Sequence, residues 1–266
     1  MSPHVRLLAT VFLFLVCAVP PLRAQEAKRA TGAAPRIFFL IGEAEYDTKT
    51  TVPAFAKAEL EPRGIHCDFS ILPSEDSNDF PDTGPLKDAD LLFISVRRHA
   101  PSAALMMQIR AHISGHKPVV GIRTASHAFA LRGMAGQAVR IPPGYAVWPD
   151  FDHEVLGGNY SDHYGHNLET LAKIVPEQAR HPVLEGIGPE EFKVPSHLYK
   201  NPDLPGWATP LMTARLVGRT EVEPIAWVNT KDGRRVFYTS LGAPEDFAIP
   251  QFRRLLLNGI LWALDR

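Results

Sequence analysis

The stretch from residue 148 to residue 166 concentrates the side chains that can do chemistry. Its 19 residues include three histidines, three aspartates and four aromatic rings. Histidine transfers protons near neutral pH, and a carboxylate can take or return such a proton. Aromatic rings can stack on the apolar face of a sugar, although in a proline-rich loop they also fasten the loop to the core. This composition predicts that the stretch forms one wall of a polar binding site.

The three histidines of this stretch are His153, His163 and His166, and together they could bind a divalent metal. Their spacing matches no standard structural metal motif, so a metal site is the weaker interpretation. A histidine in such a loop otherwise serves as an acid/base group or holds the backbone. Asn159 and Tyr160 lie between these histidines and are candidate substrate-binding residues.

A second candidate site follows the β-branched run at 119–122. The run ends in a polar turn and a helix-compatible segment, which predicts a strand, a sharp turn and a helix start. In a nucleophile elbow this geometry exposes the residue after the strand at the carboxyl edge of the sheet. Here that residue is Arg123, which is not a nucleophile. Its guanidinium can hold an anion or hydroxyl groups or stabilise an oxyanion, with a structural ion pair as the alternative.

Two further residues of the elbow can face the same pocket. His127 falls in the first turn of the predicted helix, where a neighbouring arginine would lower its pKa and favour a neutral general base. A packed core histidine explains this residue equally well. Ser126 is a candidate substrate ligand, with helix capping as its structural interpretation.

The elements that position these residues alternate between strand and helix. Apolar runs separated by helical patterns predict buried parallel strands, and short connections favour right-handed crossovers. We therefore expect an α/β fold, a doubly wound sheet with helices on both faces. The runs in question lie at 36–41, 65–71, 90–96 and 118–122.

Three charged residues follow strands of this sheet. Glu43 comes after the first strand, and Arg97 and Arg98 come after the third, so all three are expected at the carboxyl edge, where such sheets bind ligands. Helix capping and loop ion pairs explain them nearly as well. The last third of the chain predicts antiparallel strands at 213–218, 224–229 and 235–241, with Asp232-Gly233 as a hairpin turn, and a closing helix from about Phe252.

The N-terminus has the pattern of a secretory signal peptide. His4 and Arg6 precede an apolar run at 7–19 that is too short to span a bilayer comfortably, and Ala24 is a small residue at a cleavage position. We predict a signal peptide at 1–24, a linker at 25–34 and one domain at 35–266. Export to the periplasm or the medium follows, without stable membrane association after cleavage; an uncleaved anchor is the alternative. Cys67 then remains as a single cysteine, which forms no intrachain disulfide.

With these elements placed, the sequence resembles the trehalose-utilisation, or ThuA-like, family of the class I glutamine-amidotransferase-like superfamily. The resemblance implies a flavodoxin-like, mostly parallel sheet with an antiparallel C-terminal extension, a pocket at its carboxyl edge and sugar chemistry. It also implies that His163, which matches a family position, acts as acid or base. The segments that carry the resemblance are 120–126, 157–163, 181–184 with 198–199, 233–242 and 258–263.

The sequence departs from the family pattern at the positions where chemistry is expected. Arg123 replaces a common histidine, Ala243 replaces another, and the segment 195–199 lacks an acidic residue before its Leu-Tyr pair. No cysteine follows an elbow strand, so the chain is not a glutamine amidotransferase.

Three functions fit the sequence. The first is an enzyme that acts on a carbohydrate or 3-keto-sugar by acid/base isomerisation, elimination or hydrolysis. The second is a non-catalytic sugar-binding or accessory protein, and the third is a metal-dependent hydrolase. With a formal net charge of −1 and no basic cluster, we expect no nucleic acid as partner. The resemblance implies a small-molecule carbohydrate instead. No cofactor is predicted apart from the metal alternative, and a homo-oligomer is compatible with the sequence.

Overall fold

The computed structural model describes residues 33–132, 139–166 and 168–266. The predicted signal peptide at 1–24 and residues 25–32 of the predicted linker lie outside the described residues, so their assignment stays a prediction. Within the described ranges, no helix combines the length and the apolar composition that crossing a bilayer requires.

The helices and strands follow one another in a regular α/β order over the first half of the chain. The α-helices are α1 (Thr48–Phe55), α2 (Ala103–Ser114) and α3 (Pro250–Ala263). The strands are β1 (Arg36–Gly42), β2 (His66–Ile71), β3 (Leu91–Val96), β4 (Val119–Ile122), β5 (Asp162–His163), β6 (Thr170–Ile174), β7 (Phe192–Val194), β8 (Tyr199–Lys200), β9 (Ala208–Leu216), β10 (Val222–Asn229) and β11 (Val236–Thr239).

Nine of these strands form one sheet in the order β2-β1-β3-β4-β11-β10-β9-β6-β7. The pairings from β2 through to β11 are parallel, as the continuous apolar runs predict. The chain winds outward from β1 to β2 in one direction and from β1 to β3 in the other. The doubly wound, flavodoxin-like α/β prediction is confirmed.

The antiparallel extension is larger than the sequence predicts. It runs from β11 through β10 and β9 to β6 and β7, and every pairing in it is antiparallel. β9 begins at Ala208, earlier than the predicted start at residue 213, and β6 and β7 were not predicted. A short second sheet pairs β5 with β8 and brings His163 opposite Tyr199.

The core lies on both faces of the parallel half. Alternate residues of β1 point to opposite sides, so Ile37 and Phe39 join one buried cluster while Phe38 and Leu40 join the other. α1 and α3 cover the first face, and α2 covers the second. Helices therefore lie on both faces, as predicted, and the polar loops are left at the strand ends.

The carboxyl ends of β1, β3 and β4 meet at one edge of the sheet. Because the winding direction reverses between β1 and β3, their loops diverge there and leave a crevice, which is where doubly wound folds bind ligands. The loops after β3 and β4 contribute to this edge, and residues 149–161 cover it.

Candidate active-site cavity

The turn after β4 has the strained backbone of an elbow. Arg123 has φ of 47°, a left-handed conformation that is rare for residues other than glycine. The Tyr238 hydroxyl donates to the Arg123 carbonyl oxygen at 2.7 Å and fixes this turn. The segment that follows is a short 3-10 helix (Arg123–His127), not the longer helix that the sequence predicts. The elbow is thus retained while its nucleophile is replaced.

The Arg123 side chain is buried, with 1% of its surface exposed, and both of its Nη atoms are hydrogen-bonded, whereas its Nε has no partner in the described residues. Its Nη1 donates to the carbonyl oxygens of His197 at 2.9 Å and Ser240 at 2.7 Å. The guanidinium lies between the rings of Tyr46 and Tyr199, 4.4 and 4.3 Å from their centroids. These contacts are of the structural kind, although they are made with carbonyls and rings instead of the anticipated carboxylate. The substrate or oxyanion role predicted for Arg123 stays a prediction.

Beside the elbow lies a cavity of about 250 Å³, which we call the edge cavity. This volume is close to the lower end of small-molecule sites, roughly 300–1,000 Å³. Its lining is strongly polar and combines hydroxyl, amide, imidazole, carboxyl and guanidinium groups. The lining residues are Arg98, Ser126, His127, Ala130, Pro149, Asp150, Asp152, His153, Gly158, Asn159, Tyr160 and Ser161.

His127 is held in this cavity as a neutral imidazole. Its ring stacks on Tyr160 with centroids 4.6 Å apart, and its Nδ1 lies 3.0 Å from the Ser126 hydroxyl. Burial lowers the pKa of His127 to about 2, and Arg98 and the other nearby arginines act in the same direction. The predicted lowering of the pKa by arginine is therefore present. A pKa this low makes the ring a poor base and a good neutral hydrogen-bond donor.

Asp152 is the carboxyl group of the edge cavity. It is 8% exposed, and its Oδ2 accepts a hydrogen bond of 2.8 Å from the Tyr160 backbone N–H. Its Oδ1 is buried without a partner in the described part of the chain. Burial raises the pKa of Asp152 to about 7, against the lowering by the Tyr160 N–H. A carboxyl group with this pKa can both take and return protons near neutral pH.

Close packing in the loop after Asp152 explains why two consecutive glycines, Gly157 and Gly158, occur there. Gly157 has φ of 79° and ends a π-helical turn (Asp152–Leu156). A Cβ on Gly158 would overlap the Asp152 carboxylate, because the backbone packs directly against it. The two glycines therefore let the chain turn tightly enough to enclose Asp152 and to place Tyr160 against His127.

Arginines give the cavity a positive potential. Arg98 follows β3 in a left-handed conformation, with φ of 56°, and lines the cavity. Its neighbour Arg97 forms an ion pair with Glu45, with Nε and Oε2 2.8 Å apart, and does not line the cavity. Both arginines, together with Arg132, lower the pKa of His127.

Three other histidines form a separate group, the histidine cluster, made of His163, His166 and His197. The His166 and His197 rings are 4.3 Å apart, with their Nδ1 and Nε2 atoms at 3.2 Å, and the His163 ring is 5.4 Å from His166. The His163 Nδ1 lies 2.8 Å from the Tyr164 carbonyl oxygen and donates a hydrogen bond to it when that nitrogen carries the proton. His163 does not line the edge cavity. The acid/base role implied for it by the resemblance stays a prediction.

The proposed metal set is not brought together. His153 lies in the wall of the edge cavity, and its ring is 6.2 Å from Trp207, away from the other two histidines. In ranges 33–132, 139–166 and 168–266, no group of three His, Cys, Asp or Glu side chains is placed to hold a metal ion.

The predicted substrate-binding residues divide into two groups. Ser126, Asn159 and Tyr160 line the edge cavity. Glu43 instead uses both carboxylate oxygens locally: Oε2 accepts from the Tyr46 N–H and Oε1 from the Thr48 N–H, each at 2.8 Å. This is the capping alternative, and Glu43 borders a smaller cavity of about 50 Å³.

The residues whose place in the site the sequence does not predict are Asp152 and Tyr199. The sequence counts Asp152 only among the three aspartates of residues 148–166, because the burial that raises its pKa comes from distant packing. The adjacent Gly157-Gly158 pair was the signal available for it. Tyr199 faces Arg123, and no local pattern predicts that contact between residues 76 positions apart.

The fold and the site define a class: flavodoxin-like α/β proteins with a polar cavity at the carboxyl edge, beside a retained elbow. The family model described as "ThuA: Trehalose utilisation" matches residues 41–263. The chain therefore belongs to the ThuA family, as its sequence pattern predicts.

Solved structures support the same fold. A protein described as ThuA-like from Bacteroides uniformis ATCC 8492 is 17% identical, with a TM-score of 0.61 over 88% of this chain and 93% of its own. A second one, from Parabacteroides merdae ATCC 43184, is 18% identical, with a TM-score of 0.57 over 87% and 90%. A β-galactosidase from Halorubrum lacusprofundi is 17% identical, with a TM-score of 0.51 over 91% of this chain and 33% of its own. Among curated proteins, none gives a significant match.

Proposed function

We propose that this protein binds a sugar of monosaccharide size in the edge cavity and acts on it by acid/base chemistry. The observation that carries the proposal is one cavity holding a carboxyl group with a raised pKa and an imidazole with a lowered one, Asp152 and His127. Pairs of groups whose pKa values are pushed apart are typical of acid/base sites. Membership of a family described by trehalose utilisation supports a carbohydrate as the substrate.

The lining suits a sugar. The hydroxyls of Ser126 and Ser161 and the amide of Asn159 can exchange hydrogen bonds with sugar hydroxyl groups. Tyr160 supplies an aromatic ring at the wall, although that ring already stacks on His127. The cavity accommodates a single small molecule, not a polymer.

Asp152 is the proton-transferring group of this proposal. On a 3-keto-sugar, its carboxylate removes the proton from the carbon next to the ketone, and the electrons of that C–H bond form an enolate. Return of this proton to the former ketone carbon completes an isomerisation, because the hydroxyl on the deprotonated carbon gives its proton to the former ketone oxygen and becomes the new carbonyl group. Alternatively, the enolate re-forms the ketone and expels a leaving group from the carbon β to it, which completes an elimination. With a pKa of about 7, the group is half ionised at neutral pH and can do both.

His127 stabilises the enolate oxygen in this scheme. When the Ser126 hydroxyl donates to Nδ1, the single proton of the neutral ring is on Nε2 and can be donated to the oxygen. Four arginines act on this histidine and favour its neutral form, so it does not itself take the proton away. A neutral imidazole that polarises a carbonyl group is an established catalytic device.

A non-catalytic sugar-binding protein is the second candidate. It is favoured by the elbow itself, where the nucleophile position is filled by Arg123 and that side chain is used for buried structural contacts. Both candidates share the edge cavity and differ only in turnover. Either would be an exported protein if the predicted signal peptide is cleaved.

The test is turnover of a panel of 3-keto-glucosides, followed by product analysis. We expect kcat/KM to rise as the pH rises through about 7, because the base form of Asp152 appears there. Asp152→Asn should lower kcat by about 100-fold or more and abolish that pH step. Asp88→Asn, an exposed aspartate that precedes β3 and does not line the cavity, is the control.

Three outcomes separate the candidates. Sugar binding without turnover by the wild type identifies a binding protein. Loss of turnover in His163→Ala with normal activity in Asp152→Asn would move the chemistry to the histidine cluster and refute the role of Asp152. Loss of activity on chelation, restored by a divalent metal, would favour the metal-dependent hydrolase.

A further inference from the structure

The arginines around the edge cavity are only partly paired with carboxylates, although Arg132 lies near Asp162 and, after the His163 N–H, helps to lower its pKa. Arg97, Arg98 and Arg132 all lie close enough to lower the pKa of His127. The Glu45 carboxylate neutralises Arg97 at 2.8 Å. For Arg98 and Arg132, no ion pair with a carboxylate occurs in the described residues.

Arg98 is the cation that reaches the cavity. Its backbone N–H donates to the His127 carbonyl oxygen at 3.1 Å, and its Nη1 donates to Ala130 at 3.2 Å. These two bonds hold the side chain along the segment that carries His127. The side chain is half-buried, and burial together with Arg132 lowers its pKa, which still leaves a cation at neutral pH. One fork of a partly desolvated guanidinium is therefore available to the cavity.

The acidic residues of the cavity do not neutralise Arg98. Asp152 has the Tyr160 N–H as its polar contact, and no arginine is among the groups that shift its pKa. Below about pH 7 it is largely protonated, so it repels a bound anion only weakly. Asp150 is exposed and forms no ion pair with Arg98 in the described structure.

We propose that the edge cavity selects an anionic sugar, one that carries a carboxylate or a phosphate, and that Arg98 binds this group. The inference rests on the proposed function and specifies its substrate class. A planar guanidinium beside a polar wall can pair with either anion through two parallel hydrogen bonds. The sugar ring then extends toward Asp152 and His127, and Arg132, an exposed residue close enough to lower the pKa of His127, adds attraction at long range.

The experiment measures equilibrium binding by calorimetry to glucuronate, glucose 6-phosphate and neutral glucose, with inorganic phosphate and acetate as sugar-free anions. We expect the charged sugars to bind at least 10-fold more tightly than glucose. Arg98→Gln should weaken their binding by about 10- to 100-fold, the usual size of a charge-assisted pair. Arg98→Lys, which keeps the charge but not the fork, should recover part of the loss. Arg219→Gln, an exposed arginine remote from the cavity in the β9–β10 turn, is the matched control and should change nothing.

The outcomes distinguish failure of the anionic preference from failure of the proposed sugar site. Equal affinity for glucose and the charged sugars, unaffected by Arg98→Gln, would overturn the anionic preference and leave the sugar site intact. Equal binding of phosphate or acetate alone would show an anion site and overturn the sugar proposal. Absence of binding by every probe would overturn both. A preference for glucuronate over glucose 6-phosphate, or the reverse, identifies which anion the site takes. Circular dichroism of each variant establishes that it is folded, and Arg132→Gln gives a second, exposed position from which the same preference can be weakened.

Discussion

Asp152 combines two properties that rarely occur together: it is buried, and no cation compensates it. Its carboxyl group has a single polar contact, the Tyr160 N–H, and one oxygen without a partner in the described residues. Such an arrangement costs stability whenever the group is ionised, because burial disfavours the charged form. Retaining it is consistent with a functional use of the proton.

The stability of the protein should therefore depend on pH through this residue. In the folded chain the pKa of Asp152 is raised to about 7, from 3.8 for an exposed aspartate. Below pH 3.8 both states are protonated and the group has no effect. As the pH rises toward 7, the unfolded chain ionises first, and the free energy of unfolding falls by up to about 4 kcal/mol. Asp152→Asn should remove this fall.

Urea denaturation at a series of pH values from 4 to 8 measures the effect. The difference in stability between Asp152→Asn and the wild type should grow in favour of the variant as the pH rises. Asp150→Asn, exposed and two residues away, should follow the wild-type curve. Parallel curves for Asp152→Asn and the wild type would mean that the carboxyl group is solvated and that the cavity is built differently.

Arg123 shows the opposite behaviour, because its buried charge is compensated by two carbonyl oxygens and two tyrosine rings, although its Nε has no partner in the described residues. Replacing it with leucine removes the donor from two carbonyl oxygens and the cation from between two tyrosine rings. We expect Arg123→Leu to lose about 2 to 5 kcal/mol of stability. Thermal and urea unfolding measure it, with the exposed Arg254→Leu as control. A loss below about 0.5 kcal/mol would leave Arg123 free for a direct role with substrate.

At the level of elements, the conformation of the loop at 157–163 depends on the absence of side chains at its glycines. Gly158→Ala should push the loop away from Asp152, because the added methyl group overlaps the carboxylate. The expected cost is about 1 to 3 kcal/mol, together with a lower pKa for Asp152 as water enters. Gly165→Ala, in the same loop region with open space around it, is the control. Unchanged stability and an unchanged pH profile in Gly158→Ala would contradict this packing.

The sequence predicts some elements better than others, for physical reasons. Strands such as β1 and β3 are buried on both sides, so their apolar runs are continuous and easy to recognise. β7 is the edge strand and β6 lies next to it; with 3 and 5 residues, and polar residues in both, they leave little signal. The same contrast applies to the site. Ser126, His127 and Tyr160 were predicted as site candidates from their residue types and their immediate neighbours in the sequence. The burial of Asp152 depends on packing by residues distant in the sequence, so no short segment predicts it.

For the whole molecule, the untested expectation is export. Expressed from its full sequence in a Gram-negative host, the protein should be recovered from the periplasm with residues 1–24 removed. Intact-mass measurement of that fraction gives the cleavage position. Leu15→Arg, which places a charge in the apolar run, should retain the uncleaved chain in the cytoplasm. A full-length chain in the membrane fraction would favour the uncleaved anchor instead.

The position of β11 has a consequence for biosynthesis. It is the last strand to leave the ribosome, yet it lies between β4 and β10 and is the only strand that joins the parallel half of the described sheet to the antiparallel half. Until it emerges, the nascent chain carries two partial sheets with open edges at β4 and β10, which are templates for misassembly. A stop codon near residue 230 would therefore do more than remove the closing helix, because no strand would join the two half-sheets by hydrogen bonds. Such a product should be found in aggregates or degraded.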